Sequence, residues 1–354
     1  MDGQSKDIRE MNKTTAIFNG NAHDLNLCYR WNDKEKTNNY WKTIKHELEK
    51  YNVVLSAESL WMEYEELDLY KRFSKIKNNY SNIKVVVYLR RQDLLMESYW
   101  NEMIKSGVYN VDINDCINIT ESKFNLLSYY DNLKKIERAL GKECLEVRVF
   151  EKGQFEGIKN DVISDFLTVL ERIGKNTLDD DWIYPARNNE KLSDFALSYA
   201  IEFAKEYDKL GAIGRQRSVR DGFILLSEQT IESGFGHYLK KEDRKKMIDK
   251  YSAENALIAE YFLGREDRQL FYEEDVNYPM WNKHVFDDIE LKMISIYAKL
   301  AADDQLLLSA MSQRVAECSN TNRLLNDEFY KREVLQELKG KILKHKDRIR
   351  RKLW

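Results

Sequence analysis

The chain has 354 residues, enough for one large domain or about two ordinary ones. Its 43% hydrophobic and 12% aromatic content can fill a core, which excludes wholesale disorder. Lys plus Arg is 57 against 60 Asp plus Glu, and this net charge of -3 argues against a general nucleic-acid binder. Two prolines and 14 glycines leave little room for linkers or collagen-like repeats. Cys28, Cys116, Cys144 and Cys318 show no C-x-x-C spacing and are expected to be buried, reduced thiols. His23, His46, His237, His284 and His345 are scattered, so no metal site is expected. The N-terminus is polar and no long apolar window occurs, so a cytoplasmic location is expected.

In chain order, Tyr40 to Tyr51 is amphipathic at helical period and leads to the apolar run Val53-Val54-Leu55. A second run, Ile83 to Leu89, has three consecutive valines and strong β character. A helical stretch from Phe124 to Leu140 precedes the third run, Leu145 to Phe150. Helical segments separate the runs, so the order α-β-α-β-α-β-α predicts a parallel sheet covered by helices. Ligands of such sheets gather beyond the carboxyl ends of the strands. After about Asp181 the pattern is helical, over Lys191 to Tyr207, Lys241 to Tyr251, Ala253 to Phe262 and Ile289 to Ala302.

The segment Ile83 to Gly107 carries the most chemistry. A strand delivers Arg90 at its carboxyl end, a helix begins near Gln92, and Ser98 stands eight positions after Arg90. A guanidinium and a hydroxyl so placed can converge on one phosphate, aided by the helix amino end. The plain alternative makes Arg90 a surface ion-pair partner and Ser98 an ordinary helical residue.

Tyr88 to Gly107 reads Y-L-R-R-Q-D-x-x-x-E-S-x-W-N-x-x-x-K-S-G. It resembles the matching stretch of the bacterial P-loop sulfotransferases. The similarity extends to Gly20 to Leu25, Val53 to Leu60, and the VRVFEKGQFEG run with Asp165, Phe166 and Leu167. It continues through Asn189, Leu192 and Ser193 to Tyr251 to Phe262, so the motifs stand in order over about residues 20 to 275. The resemblance implies the cofactor 3'-phosphoadenosine-5'-phosphosulfate (PAPS) and transfer of a sulfuryl group to a carbohydrate hydroxyl. It implies that Arg90 and Ser98 hold the 3'-phosphate. Transfer needs a base for the acceptor. Glu58 is the first candidate, since related enzymes place a Glu or His after that strand, and His23 is the second. A helix-start carboxylate and helix packing are their respective alternatives. Arg215, Arg217 and Arg220 could close over the 3'-phosphate, or form a solvated basic loop.

The family's opening strand, its K-T-G-T-T/S phosphosulfate loop and the following helix are not found. Thr15 to Phe18 could form a short strand, but no such loop follows it. Three readings stay open: a loop supplied upstream, a degenerate relative, or a binding module that keeps the fold. The last 24 residues, Lys331 to Trp354, hold ten Lys or Arg and three Asp or Glu. Their apolar residues at helical spacing could lay a helix on an anionic membrane surface, or pack it on the domain.

The expected fold is therefore α/β, a P-loop-like parallel sheet flanked by helices, missing the first strand and loop, with a helical C-terminal part. The division expected is an α/β domain over 1–275 and a helical extension over 276–354. The expected function is sulfuryl transfer from PAPS to a carbohydrate or glycolipid acceptor. A catalytically inactive homologue acting as a binding or scaffold protein in surface-glycan synthesis is the alternative. A glycosyltransferase fits less well, because Asp179, Asp180 and Asp181 do not follow a strand.

Overall fold

A computed structural model describes residues 34–49, 53–56, 61, 69–77, 83–106, 111–123, 126–174, 191–210, 217–273 and 277–303. These are mostly helical and include a small parallel sheet, an α/β arrangement in general. In order the elements are α1 Lys34–Leu48, α2 Leu69–Lys77, β1 Val85–Leu89, α3 Gln92–Lys105, α4 Ile113–Lys123, α5 Tyr129–Leu140 and β2 Leu145–Val149. They continue as α6 Val162–Gly174, α7 Asp194–Lys209, α8 Arg217–Gln229, α9 Lys241–Leu263 and α10 Asp288–Asp303. Contacts divide the chain into two units. The first takes the described residues within Met1–Met96, Ile113–Ala186 and Lys241–Asn277, the second those within Glu97–Asp112, Arg187–Lys240 and Tyr278–Trp354.

In the first unit, the β-branched run of β1 pairs in parallel with β2, from Val85 opposite Leu145 to Leu89 opposite Val149. Tyr129, Leu133, Ile136 and Leu140 recur along α5 at helical spacing, and all four are buried. Tyr129 and Leu133 join Leu89, Val147, Val149, Ile258 and Leu270 in one core cluster, which ties α5 and α9 to the sheet. Gly141 ends α5 with φ +91°, a conformation that favours glycine, and its N–H donates to the Glu137 carbonyl at 2.7 Å.

Three expectations change. Val53 to Leu55 is not a strand. Three apolar residues carry no period of their own, and Leu55 packs instead with Trp41, Ile44 and Ile76 of α1 and α2. The predicted helix from Phe124 is α5 alone, beginning at Tyr129. Lys241 to Tyr251 and Ala253 to Phe262 form one helix, α9. Ser252 does not break it, because its hydroxyl donates to the Asp249 carbonyl of the same helix at 2.8 Å.

In the second unit, α7 packs against α8 and α10. Ser193 caps α7, its hydroxyl accepting the Ala196 N–H at 3.2 Å. The buried carboxylate of Asp194 accepts the N–H groups of Gly236 and Asn282, at 2.8 and 2.7 Å. Phe203 meets Phe223 edge-on at 5.4 Å and stacks on Tyr207 at 5.6 Å, which fills the α7–α8 seam. Gly236 is fixed by space rather than by φ: a Cβ there would stand 2.0 Å from Trp281 Cα and 2.1 Å from its N. Gly236→Ala must therefore push main chain aside, and a loss of about 3 kcal/mol is expected in denaturant unfolding. An unchanged unfolding midpoint would contradict this packing.

Cys116 and Cys144 are buried and free, and burial pushes the Cys116 thiol up to about 11. They match the expected reduced thiols, whereas Cys28 and Cys318 lie outside the described residues. Among the described residues no helix is long and apolar enough to cross a membrane. The basic tail from Lys331 to Trp354 lies outside them.

Candidate functional site

The site is built at the carboxyl ends of β1 and β2, both in the first unit. Arg90 follows β1 directly and is half-buried. Its guanidinium stands 5.5 Å from the ring centroid of Phe150, the residue that follows β2. The Arg90 carbonyl accepts the Tyr129 hydroxyl at 2.7 Å, which fixes the main chain at this turn. Burial pushes the Tyr129 hydroxyl far above its ordinary range, so it stays a donor. Phe150 is 39% exposed and meets Phe155 edge-on at 5.4 Å. Beside it, Glu151 accepts the N–H groups of Tyr272 and Glu273 at 3.0 and 2.5 Å, holding the segment after α9 at the strand ends.

The next residues begin α3 and are buried in the fold. The Arg91 carbonyl accepts the Leu95 N–H at 2.9 Å, so Arg91 caps the helix. Its guanidinium grips Asp93 at 2.7 and 3.0 Å and also donates to the Glu273 carbonyl at 2.5 Å. Arg244 of α9 donates to the same Asp93 carboxylate. Asp93 and Arg244 are fully buried and Arg91 is 5% exposed. Gln92 and Asn255 exchange amide bonds at 2.8 and 3.0 Å.

Farther along α3, in the second unit, Glu97 accepts the N–H groups of Tyr238 and Leu239, at 2.7 and 2.8 Å. Asn101 donates to the Tyr238 hydroxyl at 2.8 Å, and Lys105 pairs with Glu102 at 2.9 Å. Ser98, between them, is exposed.

Arg90 and Ser98 thus stand at the strand end and on the helix, as the spacing predicts. Glu58 and His23 lie outside the described residues, as do Arg215 and Asn189. Arg217 and Arg220 begin α8 and are not in a loop. The Arg220 guanidinium stands 3.2 Å from the Glu102 carboxylate, so this arginine is committed to an ion pair. Sequence reasoning missed three residues: Phe150 beside Arg90, Arg244 on Asp93, and His237 on Glu97. Phe150 could have been found from its place at a strand end. The other two come from segments about 140 to 150 positions away, and no local pattern announces them.

Among the described residues no group of three or more His, Cys, Asp or Glu could hold a metal ion. The arrangement sets a guanidinium over a partly exposed aromatic ring at the carboxyl ends of two parallel strands, and a guanidinium can pair with an anion.

No family model matches the chain, and no solved structure matches it. It is similar to an uncharacterized protein of Archaeoglobus fulgidus, with 22% identity over 298 residues. These cover 82% of this chain and 77% of the relative.

Proposed function

We propose that the chain is a PAPS-dependent sulfotransferase acting on a carbohydrate hydroxyl, with Arg90 and Ser98 holding the 3'-phosphate. Its β1–β2 pair then belongs to a P-loop-like sheet. One observation carries the reading. Of the polar residues in the Tyr88 to Gly107 motif, Arg91, Gln92, Asp93, Glu97, Asn101, Lys105 and Ser106 are buried. Arg90 is only half-buried and Ser98 is exposed. The fold accounts for the buried seven, and the resemblance assigns Arg90 and Ser98 to a ligand.

In this reading the Arg90 guanidinium and the Ser98 hydroxyl bind phosphate oxygens, and the Phe150 face receives the adenine. Stacking of this kind contributes about 1–3 kcal/mol per base. Transfer then breaks the bond from sulfur to the 5'-phosphate oxygen and forms one to the acceptor oxygen, whose proton passes to a base. Positioning and charge stabilisation supply most of the acceleration.

A second reading, a catalytically inactive relative that binds the nucleotide, is favoured by the structural roles of those seven motif residues. The two separate in an assay with sulfur-labelled PAPS and mixed oligosaccharides, where labelled product marks the enzyme. Absence of label on the sugars, with the nucleotide bound, favours the binding protein. Ser98→Ala is expected to leave stability within about 0.5 kcal/mol, since the side chain is exposed. Its affinity for 3'-phosphoadenosine-5'-phosphate should fall about tenfold, the loss of one hydrogen bond to a charged group. Unchanged affinity would remove Ser98 from the site.

A further inference from the structure

The segment that follows α9 in the first unit is fixed in two different ways. Leu270 is buried and Phe271 packs against the core cluster of the sheet, so both are anchored by apolar contact. Tyr272 and Glu273 are exposed, and their main chain is tied by polar bonds to the exits of the two strands. Arg91 and Glu151 supply these bonds, each standing two positions past the end of its strand. One oxygen of the Glu151 carboxylate accepts the Glu273 N–H at 2.5 Å, and the other accepts the Tyr272 N–H at 3.0 Å. The Glu273 carbonyl accepts from the Arg91 guanidinium at 2.5 Å. Residues 272 and 273 therefore run as a strap from one strand exit to the other.

The carboxylate is itself oriented. Gln154 donates to it and also, at 3.0 Å, to the Leu270 carbonyl. Arg265 donates to the Gln154 side-chain oxygen at 2.5 Å, and to the Gln269 and Leu270 carbonyls at 2.8 and 3.0 Å. The Tyr272 side chain turns back to its own segment: its ring lies 5.0 Å from the Arg265 guanidinium, and its hydroxyl donates to Asp267 at 3.1 Å. The anchors of the strap flank the pair assigned to the nucleotide. Arg91 follows Arg90, Glu151 follows Phe150, and the Arg90 guanidinium stands 5.5 Å from the Phe150 ring centroid. Main chain tied at both anchors sets the spacing of the two side chains beside them.

We infer that Glu151 is a positioning residue for the nucleotide: its carboxylate latches the strap, and the latched strap holds Arg90 and Phe150 at the spacing that binds; this rests on the nucleotide-binding reading above. The role runs through main chain. Bonds from N–H groups to an ionised carboxylate are among the stronger hydrogen bonds, so one side chain can hold two exposed residues in place. Without it the strap opens locally while the core stays folded, because its apolar anchors, Leu270 and Phe271, lie outside the latch.

Two measurements on the full chain, Glu151→Ala and Glu151→Gln test it. The first is hydrogen exchange at the Tyr272 and Glu273 amides, read without any nucleotide. Exchange is expected to speed up about 10- to 100-fold in Glu151→Ala, the loss of bonds to a charged acceptor. Glu151→Gln keeps one acceptor oxygen and should fall between. Unchanged exchange in Glu151→Ala overturns the latch. The second is calorimetric binding of 3'-phosphoadenosine-5'-phosphate, with urea unfolding of the same samples. Affinity is expected to fall about tenfold in Glu151→Ala and less in Glu151→Gln, with the unfolding midpoints kept. Faster exchange with affinity kept overturns the positioning role and leaves the sulfotransferase reading standing. Affinity that falls only in step with the midpoint across both variants makes Glu151 a general structural residue and overturns the role as well. Failure of the unaltered chain to bind the nucleotide overturns the sulfotransferase reading, and the positioning role with it.

Discussion

Asp93→Ala is expected to destabilise the first unit by about 3–5 kcal/mol, the usual cost of removing one partner of a buried ion pair. The carboxylate takes bonds from Arg91 and Arg244, and all three residues are buried. Removing it takes the shared carboxylate from two buried guanidiniums. A typical domain is stable by only about 5–15 kcal/mol, so the loss is a large share of the whole. The pairing also joins the start of α3 to α9, and the Gln92–Asn255 bonds make the same connection. Urea unfolding checks it. A variant with its midpoint unmoved would mean that the triad contributes nothing, as many exposed ion pairs do.

The second large effect is on Asp165 in α6. Its carboxylate accepts from Arg148, from the Glu156 N–H at 2.6 Å and from the Tyr88 hydroxyl at 2.5 Å, which ties α6 to both strands. Burial by itself would raise the Asp165 carboxyl, but the bonds from Arg148, Glu156 and Tyr88 together outweigh it and hold it below its ordinary value. Tyr88 is pushed well up, by burial first and then by Asp165, so its hydroxyl remains the donor. Because the folded pKa is lowered, the stabilisation is present above the unfolded value of about 3.9 and is lost as pH falls through the folded one. Asp165→Asn is expected to cost about 3 kcal/mol at neutral pH, and the gap from the unaltered chain should close in acid below about pH 4. Parallel stability curves across that range would contradict the account.

How much of this was legible in the sequence differs by element. The β1 and β2 runs could be read because valine-rich segments between helical patterns have few other uses. The start of α3 near Gln92 was also legible, since Asp93 falls in its first turn, where a carboxylate suits the helix dipole. Val53 to Leu55 misled because three apolar residues fit a strand and a packed loop equally well. Lys241 to Tyr251 and Ala253 to Phe262 each show a helical period, but that α9 runs unbroken through Ser252 rests on a bond within the helix that no periodicity reveals. Arg90 and Ser98 were singled out by spacing and by resemblance. The Arg244 and His237 contacts were not, because each depends on how a distant segment folds back onto α3.

The proposed role of Arg90, beside Phe150 at the strand ends, is to bind an adenosine 3'-phosphate. Calorimetry of 3'-phosphoadenosine-5'-phosphate with the unaltered chain, beside Arg90→Ala, tests it most directly. Saturable binding is expected, weakened about 10- to 100-fold by the substitution, as for the loss of charge-assisted bonds to phosphate. No binding by the folded, unaltered chain, or equal binding by Arg90→Ala, would contradict it.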